Sequence, residues 1–203
     1  SPIAALSAAG TAVAGWNPSA DGAVARSVID GSTLYAGGDF THLGVETRER
    51  IAALDLASGA PTLWNPSADA WVSDLVVSAG TVYTAGEFGS IGGQARSFAA
   101  AIDGTSGTAL PWNPSPNDFG YCLTTSGSTV YLGGAFTSLG SQPHSALGGV
   151  DDATVDVPRG AELTAPARLE AGQPNPFTSH VEIPFHLARA TSVTLTIHDP
   201  AGR

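Results

Sequence analysis

Acidic side chains recur along this chain at fixed intervals. Asp55, Asp103 and Asp151 stand 48 residues apart, and so do Asp21 and Asp69, with Asn117 and Asp118 near the third place. Asp39 and Glu87 share another position, filled by Ala135 in the third round. A ring of carboxylates suits Ca²⁺, which takes roughly six to eight oxygen ligands. Asp55, Asp103 and Asp151 are therefore the metal candidates. The same residue type also closes Asx turns. Turns are the preferred reading, because no D-x-D-x-D-G loop is present.

Cationic residues follow the same interval. Arg48, Arg96 and His144 align. Their alternation with carboxylates suggests ion pairs between neighbouring units in preference to an anion site. With His42, they are the candidate ligand-binding residues. Asp39 and Glu87 are candidates for a glycosidase-type pair, which needs carboxyl groups about 5–9.5 Å apart. His42 is the third catalytic candidate, since the matching residues are Ser90 and Ser138. There is no G-x-S-x-G elbow, H-x-H or H-E-x-x-H. His180, His186 and His198 lie scattered in the tail, and Cys122 is expected to be an inert core residue on a strand.

What must position these groups is a repeat. "WNPSADGAVARSVIDGSTLYAGGDF" (16–40) returns at 64–88 and 112–136 without insertion or deletion. A fixed period of this size signals one supersecondary unit per repeat. Four strands are expected in each. In the first unit they are "RSVID" (26–30), "TLYAGG" (33–38), "RIAALD" (50–55) and "PTLW" (61–64). The short links "DGS", "SAG" and "SGS" suit tight hairpins. Four strands per 48 residues predict an all-β chain of β-propeller blades. The units are placed at 16–63, 64–111 and 112–151, with a half unit at 1–15. "AGG", "TAG" and "LGG" are expected on an inner strand. The Trp residues and the pairs Tyr35/Phe40, Tyr83/Phe88 and Tyr131/Phe136 are expected to pack between blades rather than to form a ligand platform. An open β-solenoid or a stack of hairpins is the alternative fold.

Composition narrows the function classes. Net charge is −10, and all eight Lys+Arg residues are Arg. That balance argues against nucleic acid, whose binding rests on basic patches. No apolar run is long enough for a membrane span. One Cys excludes an internal disulfide. The absence of Met and the start at Ser1 lead us to expect a processed or excised piece. Three units fall short of the usual ring of blades. The expected partners are therefore further copies of the chain, or the rest of a larger propeller.

After Asp151 the repeat stops. Residues 152–168 are expected to form a linker, followed by "VEIPFHL" and "SVTLTIHD" as strands. Pro174–Phe177, Ile183–Phe185, Val193–Ile197 and Asp199–Arg203 together resemble the start of an immunoglobulin-like C-terminal domain. That domain is found on many secreted bacterial proteins, in a family that includes type IX secretion sorting domains and is similar to the flagellar hook-capping fold. Residues 169–203 are assigned to it. More loosely, Tyr35–Phe40 and Ile51–Asp55 resemble motifs of bacterial propeller-like repeats. Both resemblances imply an extracellular or cell-surface protein. Neither implies a reaction.

Two functions follow. One is a secreted binding or scaffold module presenting loops 41–49, 89–96 and 137–144 to a glycan or protein. The other is a secreted hydrolase or lyase acting on a polysaccharide or ester at the propeller axis. Near-identical units favour binding, because catalysis needs unlike groups converging on one point.

Overall fold

The computed structural model describes residues 3–152 and one short strand pair, Arg168–Leu169 with Phe185–His186. The chain divides into two compact units, Ser1–Val157 and Pro158–Arg203. Most of the linker and of the immunoglobulin-like segment lies outside the described residues.

The described chain is all-β, built from small antiparallel sheets. The first sheet holds β1 (Val24–Asp30), β2 (Thr33–Gly38) and β5 (Ile51–Asp55) in the order β1-β2-β5. The second holds β6 (Val72–Ser78), β7 (Thr81–Gly86) and β10 (Ala99–Asp103). The third holds β11 (Gly120–Ser126), β12 (Thr129–Gly134) and β15 (Leu147–Asp151). Between the second and third strand of each sheet sits a small hairpin. These are β3 (His42–Leu43) with β4 (Glu46–Thr47), β8 (Ser90–Ile91) with β9 (Gln94–Ala95), and β13 (Ser138–Leu139) with β14 (Gln142–Pro143). The remaining pair is β16 (Arg168–Leu169) and β17 (Phe185–His186). No described helix is long and apolar enough to cross a membrane.

Two expectations need correction. The fourth strand shrinks to one bridge, Leu54 with Pro61 and Ile102 with Ala109. Pro61 has no N–H to extend a ladder, and the chain must then turn so that Trp64 reaches its neighbour. The small-residue segments form the central strand of each sheet rather than an inner one. The crowding they relieve comes from a β-bulge. Register shifts between Val24 and Arg26, between Val72 and Asp74, and between Gly120 and Cys122. The bulged backbone presses on the last glycine of each central strand.

Alternation along the strands sorts side chains to two faces. In the first unit Tyr35, Ile51 and Ala53 join a core with Trp64, Val72, Leu75 and Ile102 of the second. Leu34, Ala36, Ala52 and Leu54 point the other way, into a core with Trp16, where Ile3 and Ala5 pack against them. The second unit repeats this, with Tyr83, Ala99 and Ala101 packed on Trp112, Val130 and Leu132 of the third. The aromatics of the first two units pack between units as expected, whereas Tyr131 of the third is 40% exposed. Tyr35 meets Trp64 edge-on at 5.0 Å, and Tyr83 meets Trp112 at 5.4 Å. The Tyr35 hydroxyl donates to Gly104 O at 3.1 Å, and that of Tyr83 to Asp152 at 2.8 Å. The indoles of Trp16 and Trp64 donate to Leu56 O and Asp103 O.

Candidate functional site

The three small hairpins differ in their outward residues from unit to unit. Their construction is constant. Leu43, Ile91 and Leu139 point inward and are buried. Each bridges to the segment after "WNP", at Ala20, Ala68 and Pro116. Gly44, Gly92 and Gly140 take the positive φ that a two-residue turn demands. One polar side chain then clamps each hairpin from below. Asp21 accepts the amides of Thr41 (2.7 Å) and His42 (2.9 Å). Asp69 accepts those of Gly89 and Ser90, and Asn117 those of Thr137 and Ser138. The turn reading of these residues thus takes a longer-range form, spanning about twenty residues rather than one local Asx turn.

In the first unit the clamp gains a histidine. His42 Nδ1 lies 3.1 Å from Asp21 Oδ2 and 2.9 Å from Thr41 Oγ1, and the Thr41 hydroxyl donates to Asp21 at 2.6 Å. The Thr41 hydroxyl, with the His42 and Thr41 amides, holds the Asp21 carboxyl far below the usual carboxylate range. In Asp69 burial pushes upward, but the amides of Ser90 and Gly89 outweigh it and the carboxyl is lowered. A depressed carboxyl stabilises the fold above its ordinary titration range and loses that effect as pH falls through the folded value. Asp21→Ala is expected to lower the melting temperature at neutral pH. Asp21→Asn should be close to neutral, because Asn117 already clamps the third hairpin, and it should flatten the acid limb of the stability profile. Thermal melts from pH 7 to pH 2 check both.

Arg48 and Arg96 do not make the expected ion pairs between units. Their guanidiniums turn back into their own repeat. Arg48 donates to Thr47 O (2.7 Å) and Thr62 O (2.6 Å), and Arg96 to Ala95 O (2.8 Å) and Leu110 O (3.0 Å). They staple the hairpin to the residues that enter the next Trp. The nearest carboxylate to Arg48 is Glu46 of its own hairpin, at 3.6 Å. The equivalent His144 is exposed. Arg48 is buried and Arg96 half-buried by this work, which removes both from any open anion site.

The other candidates stay apart. Asp55 accepts the amide and hydroxyl of Ser58, and Asp103 those of Ser106 together with the Thr105 amide. Asp151 accepts the Thr129 hydroxyl. These bonds hold the Asp55 and Asp103 carboxyls low. Among the described residues no three His, Cys, Asp or Glu side chains gather into a metal-sized group. Asp39 is exposed and sits 3.9 Å from Arg50 of its own unit. Glu87 is exposed as well, and no hydrogen bond or ion pair joins it to Asp39 among the described residues.

Sequence reasoning missed one position. Residues 26, 74 and 122 are equivalent, yet they are Arg, Asp and Cys. They follow the bulge on β1, β6 and β11, the strands that pack beside one another from unit to unit. Arg26 Nε lies 3.2 Å from Asp74 Oδ1, and Asp74 Oδ2 accepts the Leu123 amide at 2.7 Å. Cys122 is exposed, which corrects its assignment to the core. Its sulfur lies over Gly133, where a Cβ would come within 2.7 Å. No sequence signal singled the position out, since positions 22, 23 and 25 also differ in all three units.

An open groove of about 350 Å³ lies between the first and second units, lined by Thr33, Tyr35, Leu63, Trp64 and Thr105 among others. Leu63 is exposed at its rim, whereas the Tyr35 and Trp64 rings are buried against each other. It therefore offers edges rather than an aromatic platform. No protein-family model matches the chain, and no curated protein or solved structure matches it either.

Proposed function

We propose that this chain is a run of β-propeller blades from a secreted or cell-surface protein, and that it binds a glycan through its hairpin rim. The supporting observation is the split between clamp and tip. Asp21, Asp69 and Asn117 hold three hairpins by the same bonds. The tips differ: His42, Val45 and Glu46 become Ser90, Gly93 and Gln94, then Ser138, Ser141 and Gln142. A constant support with variable outward residues is how binding loops are carried on rigid scaffolds. Val45, 95% exposed, has no core role to explain it. The tail's resemblance to secretion-sorting domains supports an extracellular setting, and the acidic surface fits a non-nucleic-acid partner.

The test is an array of bacterial and plant polysaccharides probed with the full chain, with reducing-sugar release measured in parallel. Binding to a subset of glycans without turnover is the expected result. Release of sugar or ester product, abolished by Asp39→Asn or Glu87→Gln, would replace this reading with the hydrolase one. Binding confined to protein ligands would move the partner class.

A further inference from the structure

Of the three clamped hairpins, the first carries a side chain that the clamp does not need. Asp69 holds Gly89 and Ser90, and Asn117 holds Thr137 and Ser138, with no imidazole at either place. His42 is surplus to that construction, yet its ring is fixed. Nδ1 faces Asp21 Oδ2 at 3.1 Å and Thr41 Oγ1 at 2.9 Å. The Thr41 hydroxyl has one proton, and it is spent on Asp21 at 2.6 Å. The Asp21 carboxyl is held far below the usual carboxylate range, so near neutrality it is ionised and only accepts. Nδ1 thus meets two acceptors and must be the donor. The neutral ring carries its proton on Nδ1, and Nε2 is left as an acceptor. The side chain is 48% exposed, and no hydrogen bond engages Nε2 among the described residues.

The charge around this acceptor is negative. Asp21 clamps the hairpin from below. Across the hairpin β4 carries Glu46, 3.6 Å from Arg48. Asp39, just past β2, is exposed, and Glu49 accepts the Ser67 hydroxyl. The cations are occupied. Arg48 is buried on Thr47 O and Thr62 O. Arg50 donates to Ala68 O at 3.0 Å and sits 3.9 Å from Asp39. A ligand meeting this hairpin must therefore donate hydrogen bonds and carry no negative charge. Val45, at the turn, adds an exposed apolar edge.

We propose that the first hairpin selects neutral, hydroxyl-rich glycans, with His42 Nε2 accepting a hydrogen bond from a sugar hydroxyl and Val45 lying against ring carbons. This rests on the glycan-binding reading above, and names its ligand class and its specificity-determining residue. Protonating the imidazole turns the acceptor into a donor, so binding falls as His42 gains its second proton. Asp21 stays charged over that range and keeps the clamp closed.

The test follows the full chain from about pH 8 to about pH 5, where an imidazole titrates. Long-range proton–nitrogen NMR spectra should show Nε2 as the unprotonated ring nitrogen at the alkaline end. A proton on Nε2 instead would overturn the inference before any ligand is tried. The glycan array is read at each pH, its neutral polysaccharides beside its uronic-acid ones. Neutral members should bind, and their affinity should fall in step with His42 protonation. His42→Ser should fold, since Ser stands at 90 and 138, and should bind about tenfold more weakly. His42→Gln keeps an acceptor that does not titrate, so it should bind without the pH dependence. Neutral-glycan binding that ignores pH or His42→Ser overturns the inference and leaves the glycan reading standing, as does a preference for uronic-acid polysaccharides. A chain that binds no member of the array overturns that reading and the inference with it.

Discussion

Gly86→Ala is expected to cost about 3 kcal/mol or more, enough to unfold a protein of ordinary marginal stability. A Cβ on Gly86 would overlap the carbonyl oxygen of Trp71 and press on Val72 Cα at 3.0 Å and Phe88 Cδ1 at 3.1 Å. The carbonyl cannot retreat freely, because it accepts the Glu87 amide at 2.9 Å. The obstacle is backbone at a bulge, with no flexible side chain to give way. Gly38 faces Ala23 O and Gly134 faces Phe119 O in the same manner. Gly89→Ala is the control. Its φ is ordinary and its Cβ would meet only Asp69 Oδ2, at 3.4 Å. That change is expected to be neutral or slightly stabilising. Denaturant unfolding of the two variants separates steric overlap from a general intolerance of alanine in glycine-rich segments.

Asp74→Ala is expected to cost about 2–4 kcal/mol. The Asp74 carboxylate is largely buried and accepts the amides of Leu75 and Leu123, 2.9 and 2.7 Å away. Removing it leaves two amide donors without their acceptor in the packed interior. The Arg26 side of the pair contributes far less, since its side chain is 55% exposed. Arg26→Ala should therefore fall below about 1 kcal/mol. The asymmetry between the two single variants, with a small coupling between them, distinguishes an amide clamp from an ion pair. Faster hydrogen exchange at Leu123 in Asp74→Ala would show that the second and third units have been uncoupled at their first strands.

The repeat and its three long strands per unit were legible because alternation and an uninterrupted 48-residue period carry them. "TLYAGG", "TVYTAG" and "TVYLGG" read as strands and are strands β2, β7 and β12. The hairpins were not legible. Two residues per strand are too few for a pattern to emerge, and what fixes them is a clamp about twenty residues away. The fourth strand was over-read because "PTLW" is apolar enough to suggest one, whereas Trp64 is spent on Tyr35 instead of on a ladder.

Site chemistry was less legible than the fold, for related reasons. Cys122 looked internal from its place on a strand among apolar neighbours, but the extra residue between Gly120 and Cys122 shifts the phase and brings it to the exposed face. Arg48 and Arg96 looked like partners for neighbouring carboxylates. Backbone carbonyls at Thr62 and Leu110 are closer and leave no sign in the residue pattern. The grouping of Asp21, Thr41 and His42 spans residues twenty apart, so only the folded hairpin brings them together.

Exchanging the first hairpin is the most direct test of the binding account. Residues 41–48 would be replaced by the second unit's 89–96, which keep the inward Ile91 and the stapling Arg96 but discard His42, Val45 and Glu46. The glycan array is then repeated beside a thermal melt. The account predicts a cooperative melt, lowered only by loss of the Thr41 hydroxyl bond to Asp21, and a lost or altered glycan profile. An intact exchanged protein with the wild-type profile, or a wild-type chain that binds no glycan, would contradict it.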